Sequence, residues 1–219
     1  MKERSPTLTI RLRGPLACFT RPEFKTERVS YEVMTPSAAR GALEAVLWKP
    51  AIRWRIERIR VLKPILFTAF KRNEVNSKIP VDSVRSAMQG GRMRDLFVDE
   101  DRAQRNTVAL ADVDYVVEAT FAMTAKAGAG ETVTKFVEMF TRRVEKGQAF
   151  NQPYLGCREF AAEFLPASGA PDPIPVTRDL GLMLHDIEFG ESNRPRFFEA
   201  SLKQGVLAVP PWDEKEAAA

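Results

Sequence analysis

Few residues in this chain can move a proton or attack a phosphate. There is one histidine, His185, and there are two cysteines, Cys18 and Cys157. Two-histidine acid–base chemistry is excluded, and a Ser–His–Asp or Cys–His triad would have to use His185. That residue sits in GLMLHDIEF, where Met183, Ile187 and Phe189 share its side of an alternating run. This is the setting of a core histidine rather than a catalyst. The cysteines have neither metal-ligand spacing nor a local signal that pairs them, and no metal site is assigned. The carboxylates are scattered, which gives two-metal chemistry little support. If the chain is an enzyme, lysine or tyrosine must supply its acid–base groups.

What the chain does carry is unevenly placed positive charge. Residues 40–105 hold fifteen Lys/Arg and eight Asp/Glu, a local net of +7 on a chain whose total is +4. Between 51 and 72 there are seven Lys/Arg against one Asp/Glu. Concentrated basic charge on a nearly balanced chain points to a polyanion partner, with a solvated, salt-bridged face as the alternative. Basic surface with exposed aromatics fits nucleic acid better than it fits a small substrate. No glycine motif that cradles nucleotide phosphates occurs.

The elements that must position these residues follow from local pattern. Leu8, Ile10 and Leu12 alternate with Thr9, Arg11 and Arg13 as a first strand, closed by Gly14-Pro15. A polar, basic loop with Arg21, Lys25 and Arg28 leads to Tyr31. Thr35 then Pro36 starts a helix, since Thr caps a free amide and Pro at the first turn loses no bond. Ala39, Ala42, Leu43 and Val46 form its apolar stripe, and Lys49-Pro50 ends it. Trp48 fits the core by spacing, with a surface aromatic on a nucleic-acid face as the alternative. Ile52, Trp54 and Ile56 alternate with charged residues, and the alternation slips by one residue before Ile59 and Val61. The strand region reaches Phe70, with a bend or edge position at Lys63-Pro64.

Residues 71–106 have little periodicity and read as a long inserted loop or hairpin, an excursion of the kind that is functional or disordered. Thr107–Thr124 returns to strand, with Val113, Tyr115, Val117, Ala119 and Phe121 on one face. A second helix spans about 131–146. Val133, Phe136 or Val137, Phe140 and Val144 are inward, Lys135 and Arg142 lie off the stripe, and Gly147 is a C-cap. Strands follow near 157–165, 180–189 and 197–209, and a charged tail frays at the end. The order predicts an α+β protein. Its first 150 residues form a ferredoxin-like, βαββαβ, RNA-recognition-like domain, and 151–219 add a small β-rich C-terminal part. The N-terminus has no apolar run of leader length and no stretch spans a bilayer, so a cytoplasmic, reduced protein is expected.

Four blocks carry a resemblance. CFTRPEFKTERVSYEVMTPSAARGALEAVLWKPAIRW, RNEVNSK, QPYLGCREF and DLGLMLHDIEF, in that order, resemble the CRISPR-associated Cas-five family, subtype I-C (Dvulg) variant. The resemblance runs from about residue 10 to 209. It implies a Cascade subunit that cleaves precursor crRNA by metal-independent 2′-OH attack, without a cofactor, and stays on the 5′ handle. It also implies contact with the backbone (Cas-seven) and large (Cas-eight) subunits and with target DNA in the assembled complex. The family site has a Tyr directly before Trp-Lys-Pro and a Lys-His pair on the second helix. Those positions hold Leu47, Lys135 and Phe136 here, so only the lysine is kept. Lys135 is then the charge stabiliser and Tyr31 a candidate acid–base group; the alternative is a non-catalytic RNA-binding cap of Cascade. The RNA-binding candidates are Arg21, Lys25, Arg28, Trp48, Lys49, Arg53, Arg72, Asn73, Lys78, Arg105 and Arg158.

Overall fold

The computed structural model describes residues 3–24, 26–93, 95, 97, 99–188 and 193–211. Lys25, Phe189 and the tail from residue 212, all named above, lie outside the described residues. Strand β5 (Arg102–Met123) is the spine. Its C-terminal half pairs antiparallel with β1 (Leu8–Ala17) on one side and with β3 (Ile52–Val61) on the other. β6 (Glu163–Leu165) adds to the free side of β1. β9 (Val206–Ala208), β8 (Arg194–Lys203) and β7 (Arg178–Glu188) continue outward from β3. All described strands join one curled sheet, with order β6-β1-β5-β3-β9-β8-β7 and with a short strand, β2 (Arg28–Val29), and a long one, β4 (Leu66–Val75), branching off β5.

Helix α1 (Pro36–Val46) forms where its cap and stripe require. Thr35 is extended and its hydroxyl accepts from the Ala38 amide, while Pro36, Ala39, Ala42, Leu43 and Val46 are buried. Helix α3 (Val133–Glu145) starts on Thr132 and buries Val133, Phe136, Phe140 and Val144. Its end is released by Gly147, whose φ of 61° suits the left-handed position after the cap. The helices pack on the sheet through an aromatic cluster. Trp54 lies 5.3 Å from Phe121 and 4.9 Å from Phe140, and Phe121 lies 6.3 Å from Phe136, ring centre to ring centre. Each such pair adds about 0.5–1.5 kcal/mol to the burial of its rings. The buried Trp54 indole donates to the Leu47 carbonyl at 2.9 Å, which satisfies its polar atom and pins the end of α1. The curl brings β7 onto α1, where Arg40 grips Asp186 with two bonds of 2.6 and 2.9 Å.

Two strand ends differ from expectation, and the expected slip in β3 has a structural cause. β1 does not stop at Gly14-Pro15 but runs to Ala17, because the ladder to β5 skips Pro15, whose missing N–H costs nothing opposite Asp112. The strand after Lys63-Pro64 does not end at Phe70: β4 (Leu66–Val75) runs on along the same edge of β5. Its partner is the start of β5, residues 102–111, so the expected loop or hairpin over 71–106 is a hairpin whose one face touches the core only at its root, through Phe70 and Thr107. The slip in β3 is a bulge at Glu57, where the register to β5 shifts between Ile56 and Arg58. His185 is half-buried, bonds the Pro210 carbonyl at 2.9 Å and sets its ring against the edge of Phe198. Among the described residues no helix is long and apolar enough to cross a membrane.

Candidate functional site

β4 and the first half of β5 form a two-stranded arm that leaves the sheet and carries α2 (Val81–Met88) near its tip. On such a ribbon every second residue shares a face. Phe70, Arg72 and Glu74 stand opposite Thr107, Arg105 and Ala103. Two further segments close on this face at the root of the arm. The short strand β2 (Arg28–Val29) runs parallel to Thr107 and Val108. A tight loop at 153–162 is held by Leu155 N–H to Phe160 O and Ala162 N–H to Pro153 O. It docks on Cys18, whose amide donates to Leu155 O at 3.0 Å. Gly156 makes that approach possible, with a φ of 83° and no side chain where a Cβ would strike the Cys18 carbonyl.

The chemistry at the root is a set of guanidiniums held by carboxylates. Arg72 bonds Glu159 and, at 2.8 Å, Glu74. Arg28 lies 3.4 Å from Glu159 and 3.8 Å from Glu74. Arg105, in register with Arg72, has no ion pair among the described residues, and Arg158 is exposed on the docked loop. Two buried polar atoms here, Arg72 Nε and Thr107 Oγ1, have no hydrogen-bond partner among the described residues. Four arginines against two glutamates, all within reach of solvent, make a surface that exchanges its own carboxylates for an external anion at small cost.

Sequence reasoning missed one feature of this root. The two cysteines meet: Cys157 Sγ lies 3.5 Å from the Cys18 carbonyl, and Arg28 donates to Cys157 Sγ at 3.1 Å. Both thiols are free and buried. A hydrogen bond from Cys18, helped by Arg28, pulls the Cys157 thiol down to about 6, while the Cys18 thiol is pushed up. No local pattern could reveal the pair, because docking of the 153–162 loop alone creates it.

The remaining candidates fall elsewhere. Leu47 and Phe136 are sealed in the core at 0% and 1% exposure. Lys135 is exposed on the first turn of α3. Tyr31 is buried on the segment between β2 and α1; its hydroxyl accepts from the Leu184 amide at 3.3 Å and Arg21 lies 4.4 Å over its ring. Burial raises the Tyr31 hydroxyl above its ordinary range. Trp48 is not core but 56% exposed. The cap residue Leu47 is extended (φ −144°, ψ 103°), so it turns inward and its neighbour turns out. Lys49 is half-buried, and Arg53, Asn73 and Lys78 are exposed. The basic sheet face is largely an ion-pair ladder: Arg58 and Arg60 share Glu118, Arg11 holds Asp114, and Arg13 holds Glu163. A hollow at the arm tip is lined by Asp82, Ser83, Ser86, Arg92, Met93 and Asp95, away from the arginine cluster.

Comparison with known proteins places this architecture. The family model for Cas5d-type CRISPR-associated proteins matches residues 7–210. A protein of Mannheimia succiniciproducens named CRISPR pre-crRNA endoribonuclease Cas5d is 52% identical over 213 residues, covering 93% of this chain and 94% of that one. One of the same name from Thermus thermophilus is 40% identical over 222 residues, covering 93% and 91%. Two solved structures share the fold at 21% identity. One, titled a CRISPR-associated protein, has a TM-score of 0.72 over 98% of this chain and 96% of its own. The other, a functionally uncharacterized protein of Streptococcus mutans, has 0.69 over 96% and 95%. The chain belongs to the Cas5d family of CRISPR-associated proteins.

Proposed function

We propose that this protein is a pre-crRNA endoribonuclease that binds repeat RNA, cleaves it and keeps the 5′ handle as a subunit of Cascade. The observation that carries the RNA-binding part is the arm root. Four separate stretches of chain meet on one solvent-facing surface, bringing Arg28, Arg72 and Arg105 together with the docked loop, where Glu159 holds Arg28 and Arg72 and its neighbour Arg158 is exposed. Three of those stretches belong to the blocks CFTRPEFKTERVSYE, RNEVNSK and QPYLGCREF. Structured RNA is read through shape, splayed bases and 2′-hydroxyls, which suits an arm and a docked loop better than a groove-reading helix. The handle runs along the arm root, with its phosphates on these guanidiniums and Asn73 and Lys78 further out along the arm. The backbone and large subunits pack beside it, and target DNA is engaged by the assembled complex.

The connectivity β1-α1-β3-β5-α3-β6, with sheet order β6-β1-β5-β3 and antiparallel pairing throughout, supports the ferredoxin-like label for the core. On this reading the last strand of that core comes from beyond residue 150.

Metal-independent cleavage needs a base for the ribose 2′-OH, a cation for the phosphorane and an acid for the leaving oxygen. Lys135 is the family-position group that reaches solvent, and the first turn of α3 adds its own preference for an anion. Leu47 and Phe136 cannot serve, and Tyr31 would have to release its bond to β7. Their burial favours a second reading, a non-catalytic RNA-binding cap. The test is incubation of the purified protein with its own repeat RNA in excess chelator, beside Lys135→Ala. A 2′,3′-cyclic phosphate product made by the wild type and lost in the variant is the expected result. Tight binding with no product from the wild type replaces the nuclease reading with the cap.

A further inference from the structure

Two aromatic side chains stand in solvent at the C-terminal end of α1, away from the arm root. Trp48 is 56% exposed and Phe150 is 74% exposed. Hydrogen bonds to the end of α1 anchor the backbone at or beside both. Leu47, beside Trp48, is fully buried, donates its amide to the Leu43 carbonyl at 2.8 Å and accepts from the Trp54 indole. The amides of Phe150 and Asn151 both donate to the Ala45 carbonyl at 3.0 Å, which fixes the chain after α3 against the same helix end. Arg143 of α3 reaches the Val46 carbonyl, so a guanidinium stands within the group. Lys49 and Lys146 are the neighbouring cations along the chain, and Lys146 is exposed. Of the nearby carboxylates Glu44 is taken by Arg40 at 2.8 Å, and Glu145 is exposed on the last turn of α3.

We infer that Trp48 and Phe150 form a stacking platform for unpaired bases of the bound RNA, with Arg143 and the neighbouring lysines holding the adjoining phosphates. The inference rests on the RNA-binding reading above and adds a second contact region to it. Flat rings on anchored backbone lose little freedom when a base stacks on them. Every base offers a π-face, so such a platform adds affinity without demanding sequence. The exposed apolar residues of α2 are of another kind. Val81, Val84 and Met88 are aliphatic or thioether side chains that offer packing without stacking. Cations around aromatics match a nucleic acid; an aliphatic face matches a protein.

The test compares full-length wild type with Trp48→Ala, Phe150→Ala and Trp48→Phe for binding to the protein's own repeat RNA. A matched RNA with abasic residues in its unpaired segments serves as second ligand. Loss of one stacked base is expected to weaken binding about 5- to 100-fold. Trp48→Phe should retain most of the affinity, and both alanine variants should keep the wild-type melting temperature. Their salt dependence should stay that of the wild type, since no phosphate contact is removed. On abasic RNA all four proteins should bind alike. Alanine variants that bind intact RNA as tightly as the wild type overturn the platform while leaving the RNA-binding reading in place. The same holds for variants that keep RNA affinity but lose association with another Cascade subunit. A wild type that does not bind repeat RNA overturns both.

Discussion

The buried end of α1 and the root of the arm use their side chains in opposite ways. At positions 47 and 136 the chain turns Leu and Phe into the core, with Phe136 against the Phe121 ring and the Leu47 carbonyl capped by the Trp54 indole. At the arm root Arg28 and Arg72 remain partly exposed and are held by Glu74 and Glu159. Apolar packing of the first kind has no substitute partner in solution, so it serves the fold and cannot yield to a ligand. Ion pairs of the second kind are weak in water and exchange readily for a phosphate, so they serve binding. A family position therefore carries its role only where the surrounding side chains leave it at the surface.

The largest expected effect tests the closed region. Phe136→His places an imidazole against Phe121 without a hydrogen-bond partner and should cost about 3 kcal/mol of stability, read by urea denaturation. A stable variant would show that position 136 reaches solvent after all. At the open region, Arg72→Ala should weaken repeat-RNA binding about tenfold at low salt and reduce the slope of log affinity against log salt by about one. Equal loss of affinity with an unchanged slope would remove the phosphate contact from Arg72. Smaller and of opposite sign, Glu159→Gln should strengthen RNA binding a few-fold by freeing Arg28 and Arg72 from a competing carboxylate. Weaker binding in that variant would make Glu159 a direct RNA contact.

The smallest effect concerns pH. The folded-state value of Cys157, about 6, lies below that of an unfolded thiol near 8.5. A depressed acid stabilises fully above the unfolded value and loses that contribution as pH falls through the folded one. Thermal stability should therefore rise from pH 6 to pH 8, and Cys157→Ala should flatten the rise. An equal rise in the variant would assign the dependence to other groups.

Much of the scaffold was legible because its signals are local. The Thr35 cap, the stripe of α1, the one-residue slip in β3 and the bend at Lys63-Pro64 each depend on neighbours a few residues away. Trp48 was misplaced for a local reason too: the helix ends at Val46, and one extended residue reverses which side chain faces in. The arm was only half legible, since beyond Phe70 and Thr107 the half-buried face of β4 and the start of β5 carries Arg72, Glu74, Ala103 and Arg105 and so shows no hydrophobic period. The pairing of Cys18 with Cys157 had no local signal at all.

By itself, then, the sequence determined the order of elements, the family and a concentration of positive charge, because periodicity, caps and motif blocks are written along the chain. Only the tertiary structure decided which charges remain available. Ladder register pairs Arg58 and Arg60 with Glu118 and brings Arg72 opposite Arg105. Docking of a glycine-hinged loop carries Cys157 and Glu159 to Arg28. Contacts between such distant positions depend on how strands align and where loops land, and those are properties of the packed whole.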